Sequence, residues 1–388
     1  MDLEQPLPYP LMRTPVKRVV IVAGLLGTVW REAAAQVAVA APPATFDAVA
    51  PGVAYARLER AAGPWVIHVV RVDRAAGPWT VIARHAGDSV RSRETTSAIA
   101  ARAATTHEVV AALNADFFDL RTGEATDHQV IDGAVWKAIP GFPARGGTRS
   151  RGQFAVAADG TPVIDRFRYD GRVEAGPHRF VVDGVNGVPR EGAALVHFDR
   201  RWGTLPVADS TRPVTADTVV QGVRLVSYEA AGRARLDSLV AAVRRPWRPD
   251  RRVRLAHRFT PGLTGLPTTL VGGWGVLVRG GVDVSARTDS IERTAPSLSA
   301  QRHPRSAIGT SEGGRILWLI AVDGRQTASV GMTFGELAAL MRELGIDEGL
   351  NLDGGGSTAL WVAGAVRNRP SDPTGERAVA NALLVVRR

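Results

Sequence analysis

Cysteine is absent from the 388 residues. Disulfides, thiolate metal sites and a lipid-anchored cysteine are therefore excluded, and stability has to come from the core. Lysine is nearly absent as well. Lys17 and Lys137 stand against 46 arginines, so the formal net charge of +10 is carried by one residue type. Those arginines are scattered, with Arg244-Arg245 and Arg251-Arg252 the densest group, and aromatic residues make up only 6%. A basic stripe interleaved with stacking rings is missing, so no nucleic-acid partner is expected. No apolar run approaches the ~20 residues of a transmembrane helix. What the chain does have is 45% hydrophobic against 22% charged residues, a globular composition with a sizeable core.

The amino terminus has the order of an export signal. Arg13, Lys17 and Arg18 precede the apolar run Val19 to Trp30, and the small-residue stretch Ala33-Ala34-Ala35-Gln36 follows. Residues 1–36 are expected to be a signal peptide, 37–50 a Pro/Ala linker and 51–388 one domain. The expected location is periplasmic, cell-surface or secreted, with no stable membrane span after signal cleavage.

Within the domain, short apolar runs punctuated by Gly-Pro and Asp-Gly predict strands, densest over 152–285. Ile316 to Val322 is an uninterrupted apolar strand. From Thr333 to Leu344 the apolar residues recur at 3-and-4 spacing, with Thr333 as N-cap and Glu336 completing a capping box. The fold expected is α+β: mixed, mostly antiparallel sheets with a few packing helices.

Chemistry concentrates in the part 300–388, where Asn351-Leu-Asp-Gly-Gly-Gly-Ser-Thr358 lies between two predicted strands. Each glycine costs roughly 0.5–1 kcal/mol against alanine in regular structure. A run of three therefore implies close approach of a substrate or of another part of the chain. Asp353 emerges at the strand end, the Gly354, Gly355 and Gly356 amides offer an anion nest, and Ser357 adds a hydroxyl. Four other places share this character: Asn114 with Asp116, Gly272-Gly273-Trp274, Arg305 before Ser306, and Asp323-Gly324-Arg325. Each alone also reads as a cap, a core residue or a turn. Ser357 lacks a Gly-x-Ser-x-Gly elbow, which argues against a serine hydrolase. His303, two residues before Arg305, is expected to be structural.

Taken together, Arg305-Ser-Ala-Ile-Gly309, Ala321-Val-Asp-Gly-Arg325, Gly331-Met-Thr333 and Asn351 to Thr358 resemble the phosphodiester glycosidase domain family. Ala112-Leu-Asn-Ala-Asp-Phe-Phe118, Gly272-Gly273, Asn368 to Ser371, Glu376-Arg377 and Asn381 extend the resemblance. Ala115 and Trp274 depart from the family pattern, at positions where the resemblance implies that a sugar ring packs.

The resemblance implies an exported hydrolase that cleaves a sugar from a phosphodiester, acting on a sugar-phosphate or phosphorylated glycan of the envelope or exterior. Asp353 and Asp116 are the expected catalytic carboxylates, one to activate water and one to stabilise the sugar cation, in an order left open. Arg305 is expected to clamp phosphate and Asn114 to hold a sugar hydroxyl. Gly273, Asp323, Arg325, Gly354 to Gly356, Ser357 and Arg377 complete the substrate-binding set. No cofactor is expected to be required, although a divalent cation between Asp116 and Asp353 fits the residue types. The competing readings are a metal-assisted phosphodiesterase and a non-catalytic module that binds anionic polysaccharide.

Overall fold

The apolar run Ile316–Val322 forms a strand buried along its whole length, and it lies inside an eight-stranded sheet. The computed structural model describes residues 45–388 apart from 141, 145–146, 189–193, 204–212 and 245–251. The expected signal segment and most of the linker lie outside the described residues. Asp47–Ala50, at the end of the stretch read as linker, pairs antiparallel with Val53–Arg60 as the edge of the sheet.

Across that sheet the strands run Asp47–Ala50, Val53–Arg60, Trp65–Asp73, Ile316–Val322, Arg305–Ser311, Glu348–Asn351, Val276–Arg279 and Val282–Asp283, every pair antiparallel. A second sheet has the order Ala365–Val366, Leu360–Val362, Val109–Asn114, Asn381–Arg387 and Trp79–His85. Their side chains meet in one core. Val70, Val72, Ile308, Leu319 and Leu350 of the first pack with Val81, Ala111, Leu113, Leu383 and Val385 of the second.

Helices close the outer faces. Phe334–Glu343 carries the predicted capping box, with the Thr333 hydroxyl accepting from Glu336 N–H. It buries Phe334, Leu337, Ala338 and Met341 against Val69, Ala307 and Ile320. Full burial of one such large side chain is worth ~1.5–3 kcal/mol. On the other side Thr96–Ala103 packs Ile99 and Ala100 on Ala112, Ala382 and Leu384.

Four further sheets among the described residues have five, four, three and two strands. The predicted Asp159-Gly160 hairpin joins Gln153–Val156 to Pro162–Asp165, with Gly160 at φ 86°. Only Gly184–Val185 with Leu195–Phe198 departs from antiparallel pairing among the sheet pairs of the described residues. No helix among the described residues is long and apolar enough to cross a membrane.

Candidate active site

The glycine run lies where the chain passes from one large sheet to the other. Strand Glu348–Asn351 belongs to the first and Leu360–Val362 to the second, so residues 352–359 bridge them. Two backbone bonds fix the crossing: Leu352 N–H donates to Ser306 O at 2.8 Å, and Asp353 N–H to Ala115 O at 2.9 Å. Asn114 ties the two sides together. Its Nδ2 donates to Asp353 O at 2.7 Å, while its Oδ1 accepts from the Ser306 hydroxyl at 2.6 Å and Ala359 N–H at 3.1 Å.

Each glycine has its own steric reason. A Cβ at Gly354 would lie 2.5 Å from Pro304 O, one at Gly356 would collide with the Arg377–Asp372 pair, and Gly355 has φ 62°. The run accommodates neighbouring protein groups. Gly355 N–H donates to Pro304 O at 2.9 Å, and the Gly354 N–H supports the Asp353 carboxylate. The three-amide anion nest expected from the sequence is therefore not available as such.

Asp353 is part-exposed at this crossing. Its surroundings strip water from the carboxyl and push its pKa up to about 7, against the pull of the Ser357 hydroxyl, the Arg377 guanidinium and the Gly354 N–H. A carboxylate with that pKa exchanges a proton near neutral pH, as a general base or acid must.

Two arginines flank it differently. Arg377 binds Asp372 through Nε at 2.7 Å and Nη2 at 3.0 Å, and its Nη1 stands 3.5 Å from the Ser357 hydroxyl. Much of its charge is spent on Asp372. Arg325 is exposed, and its Nη2 lies 3.1 Å from where a Cβ on Gly355 would be. Its only side-chain partner among the described residues is His303 Nδ1 at 3.5 Å, so its charge remains free to meet an anion.

Several expectations need correction. Asp116 is 1% exposed, and its carboxylate is enclosed by the Gly272 N–H at 2.8 Å, Asn381 Nδ2 at 2.7 Å and Gln129 Nε2 at 3.2 Å. Burial raises its pKa well above the usual range despite the Asn381 bond, and the nearby Asp127 carboxylate adds to the rise. With both oxygens accepting N–H bonds, it is poorly placed to ligate a cation shared with Asp353. No group of three or more His, Cys, Asp or Glu among the described residues has metal-holding geometry.

Arg305 is fully buried and donates to the carbonyls of Met332, Leu298 and Gln301 at 2.7 to 2.8 Å, so it braces loops and does not clamp phosphate. Burial lowers its pKa to about 9, still charged at neutral pH. Asn114 likewise spends its amide inside the protein and is not free for a sugar hydroxyl. Gly273 makes room for Asn351 O, which would stand 2.7 Å from its Cβ. Asp323, 5% exposed, accepts from Arg369 N–H at 2.9 Å and lines a different recess.

Sequence reasoning missed Asp372, the partner of Arg377, and Glu292. Buried Glu292 accepts from the N–H groups of Gly152, Gly275 and Val276 and from Arg166. Neither carboxylate sits in a recognisable motif.

Comparison with known proteins agrees with the motifs. Residues 203–386, just under half of the chain, match the phosphodiester glycosidase family. The SPbeta prophage-derived uncharacterized protein YomE of Bacillus subtilis (strain 168) is 39% identical over 84 residues, which is 22% of this chain and only 13% of that protein. Among solved structures, a hypothetical protein from Synechocystis superposes with a TM-score of 0.68 at 19% identity, covering 90% of this chain and 64% of its own. A "putative exported protein" from Burkholderia pseudomallei K96243 gives 0.62 at 22% identity, over 83% and 74%. At these identities the two structures establish the shared fold.

Proposed function

We propose, from the match of residues 203–386 to the phosphodiester glycosidase family, that the chain hydrolyses a sugar-1-phosphodiester at the bond between the anomeric carbon and phosphate oxygen. The observation that carries the reading is the Asp353 carboxyl, with a pKa of about 7, beside a glycine run over which the Arg325 guanidinium reaches, with no carboxylate partner among the described residues. In this reading ionised Asp353 takes a proton from water as the water oxygen bonds to the anomeric carbon. The carbon–oxygen bond to phosphate breaks, and its electron pair leaves with the phosphomonoester. That leaving group is a stable anion and needs no strong general acid. Arg325 meets its charge, while Arg377 holds Ser357 and the Asp353 loop in place. No resident cation is required. Asp116 orients the Gly272 strand end and Asn381 and takes no part in proton transfer.

An exported setting and a role in envelope or extracellular glycan turnover belong to the same proposal. They rest on the order of basic, apolar and small-residue segments at residues 13–36.

The test is a panel of hexose- and N-acetylhexosamine-1-phosphodiesters assayed for reducing sugar. Wild type is expected to turn over at least one of them, and Asp353→Asn to be slower by roughly 10²–10⁴-fold. Binding without turnover by wild type on every member would favour the polysaccharide-binding reading.

A further inference from the structure

A second polar recess lies apart from the Asp353 centre. It has a volume of about 210 Å³, and its lining includes Arg57, His68, Asp323, Gln326, Arg367 and Arg369. None of Asp353, Ser357, Arg325 and Arg377 lines it. At roughly 30 Å³ per water, the space holds about seven waters, or one small organic molecule.

The inner wall is buried and polar. His68, 1% exposed, meets the Tyr55 hydroxyl through Nδ1 at 2.8 Å. Its Nε2 makes no hydrogen bond and stands 3.5 Å from Asp323 Oδ2. The ring is therefore held between the Tyr55 hydroxyl and the Asp323 carboxylate, and it fixes where that carboxylate stands in the wall. Asp323 Oδ1 is occupied by the Arg369 N–H, which leaves Oδ2 the oxygen nearer His68.

The rim is cationic and only partly neutralised. Arg57 pairs with Glu59. Arg367 reaches the Val362 carbonyl at 3.1 Å and lies 5.6 Å over the Tyr55 ring, with no carboxylate partner among the described residues. The Arg369 guanidinium has no carboxylate partner among them either, although its backbone binds Asp323 and Gln326.

We propose that this recess binds a small hydroxylated anion, a polyol carrying a phosphate or carboxylate group. Arg367 and Arg369 take the charged group, and hydroxyls of the same molecule reach the Asp323 carboxylate and the Gln326 amide, which line the same recess. A bare inorganic anion leaves the inner wall unmet, and an uncharged polyol leaves two guanidinium groups without a counter-charge. The two arginines are exposed, so replacing them spares the core.

Isothermal titration of the full chain tests this with α-glycerol phosphate and with D-glucuronate, which separates phosphate from carboxylate as the preferred group. Glycerol and inorganic phosphate are the controls. At least one probe is expected to bind at one site per chain, and equally well to Asp353→Asn. The double variant Arg367→Gln/Arg369→Gln should bind about tenfold more weakly or worse, with an unchanged melting temperature. Four results would overturn the proposal: no saturable binding of either probe, unchanged binding in the double variant, loss of binding in Asp353→Asn, or inorganic phosphate binding as tightly as the probes. The first two deny the site, the third moves it to Asp353, and the fourth denies any role for the inner wall. The proposed hydrolysis stands or falls separately, since it is read by turnover.

Discussion

Asp353 must be ionised to take a proton from water, and its surroundings hold its pKa at about 7. On the proposed mechanism kcat/KM therefore rises with pH through about 7 and levels above it, because the protonated carboxyl is the inactive form. A rate profile between pH 5 and 9 checks this; a limb that falls through 7 would make Asp353 the acid instead. Linkage gives the sign for stability. The folded-state pKa lies above the ~3.9 of an unfolded aspartate, so native Asp353 holds its proton more tightly and stability is lost as pH rises from about 4 through 7. Asp353→Asn should accordingly melt higher than wild type at pH 8 and close to it at pH 4. Asp116 behaves differently. Its three N–H donors leave it no approach to substrate, so Asp116→Asn is expected to keep turnover within about tenfold while losing ~1–3 kcal/mol from mismatched buried bonds, measured by denaturant melts. The sequence could not separate these two aspartates. Both stand at strand ends beside small residues, and what distinguishes them comes chiefly from Asn381 and Gly272, far away along the chain, with Gln129 nearer by. The same holds for Asn114, whose amide is taken up by the Asp353 carbonyl, the Ser306 hydroxyl and the Ala359 N–H, and for Arg305 Nε, bound to the Met332 carbonyl.

At the level of elements, what was legible is what local chemistry decides. The Phe334–Glu343 helix, its capping box and the Asp159-Gly160 hairpin follow from spacing and turn residues alone. The order of strands does not, because Trp65–Asp73 pairs with Ile316–Val322 across most of the chain and nothing local encodes that choice. The glycine run was legible as a costly feature, but its reasons are tertiary: Pro304 O, the Arg377–Asp372 pair and a positive φ. Glu292 is the clearest case of an element-level device without a sequence signal. From helix Thr288–Glu292 it receives the N–H groups of Gly152, Gly275 and Val276 together with Arg166. Removing the charge by Glu292→Gln leaves Arg166 without its counter-ion and sets an amide N–H₂ against backbone donors. A loss of about 3–5 kcal/mol is expected by chemical denaturation, with the pH profile of the residual activity unmoved.

Over the whole molecule, two antiparallel sheets share one core, and the catalytic carboxylate proposed here sits where a single loop passes between them. That placement explains why the motif needs residues from both sheets: Asn114 ends a strand of one, Ser306 lies on a strand of the other, and both hold the Asp353 loop. The α+β class was readable from short apolar runs and one helical spacing, while the grouping of Asn114 with Asp353 was readable only through resemblance to a known domain, and the part of Ser306 in it was not read at all. The bond that is cleaved separates a glycosidase from a phosphodiesterase. When a sugar-1-phosphodiester is hydrolysed by wild type in oxygen-18 water, attack at the anomeric carbon predicts one labelled oxygen in the released sugar and none in the phosphomonoester. Label in the phosphomonoester would mean phosphorus–oxygen cleavage and would rule out attack at the anomeric carbon.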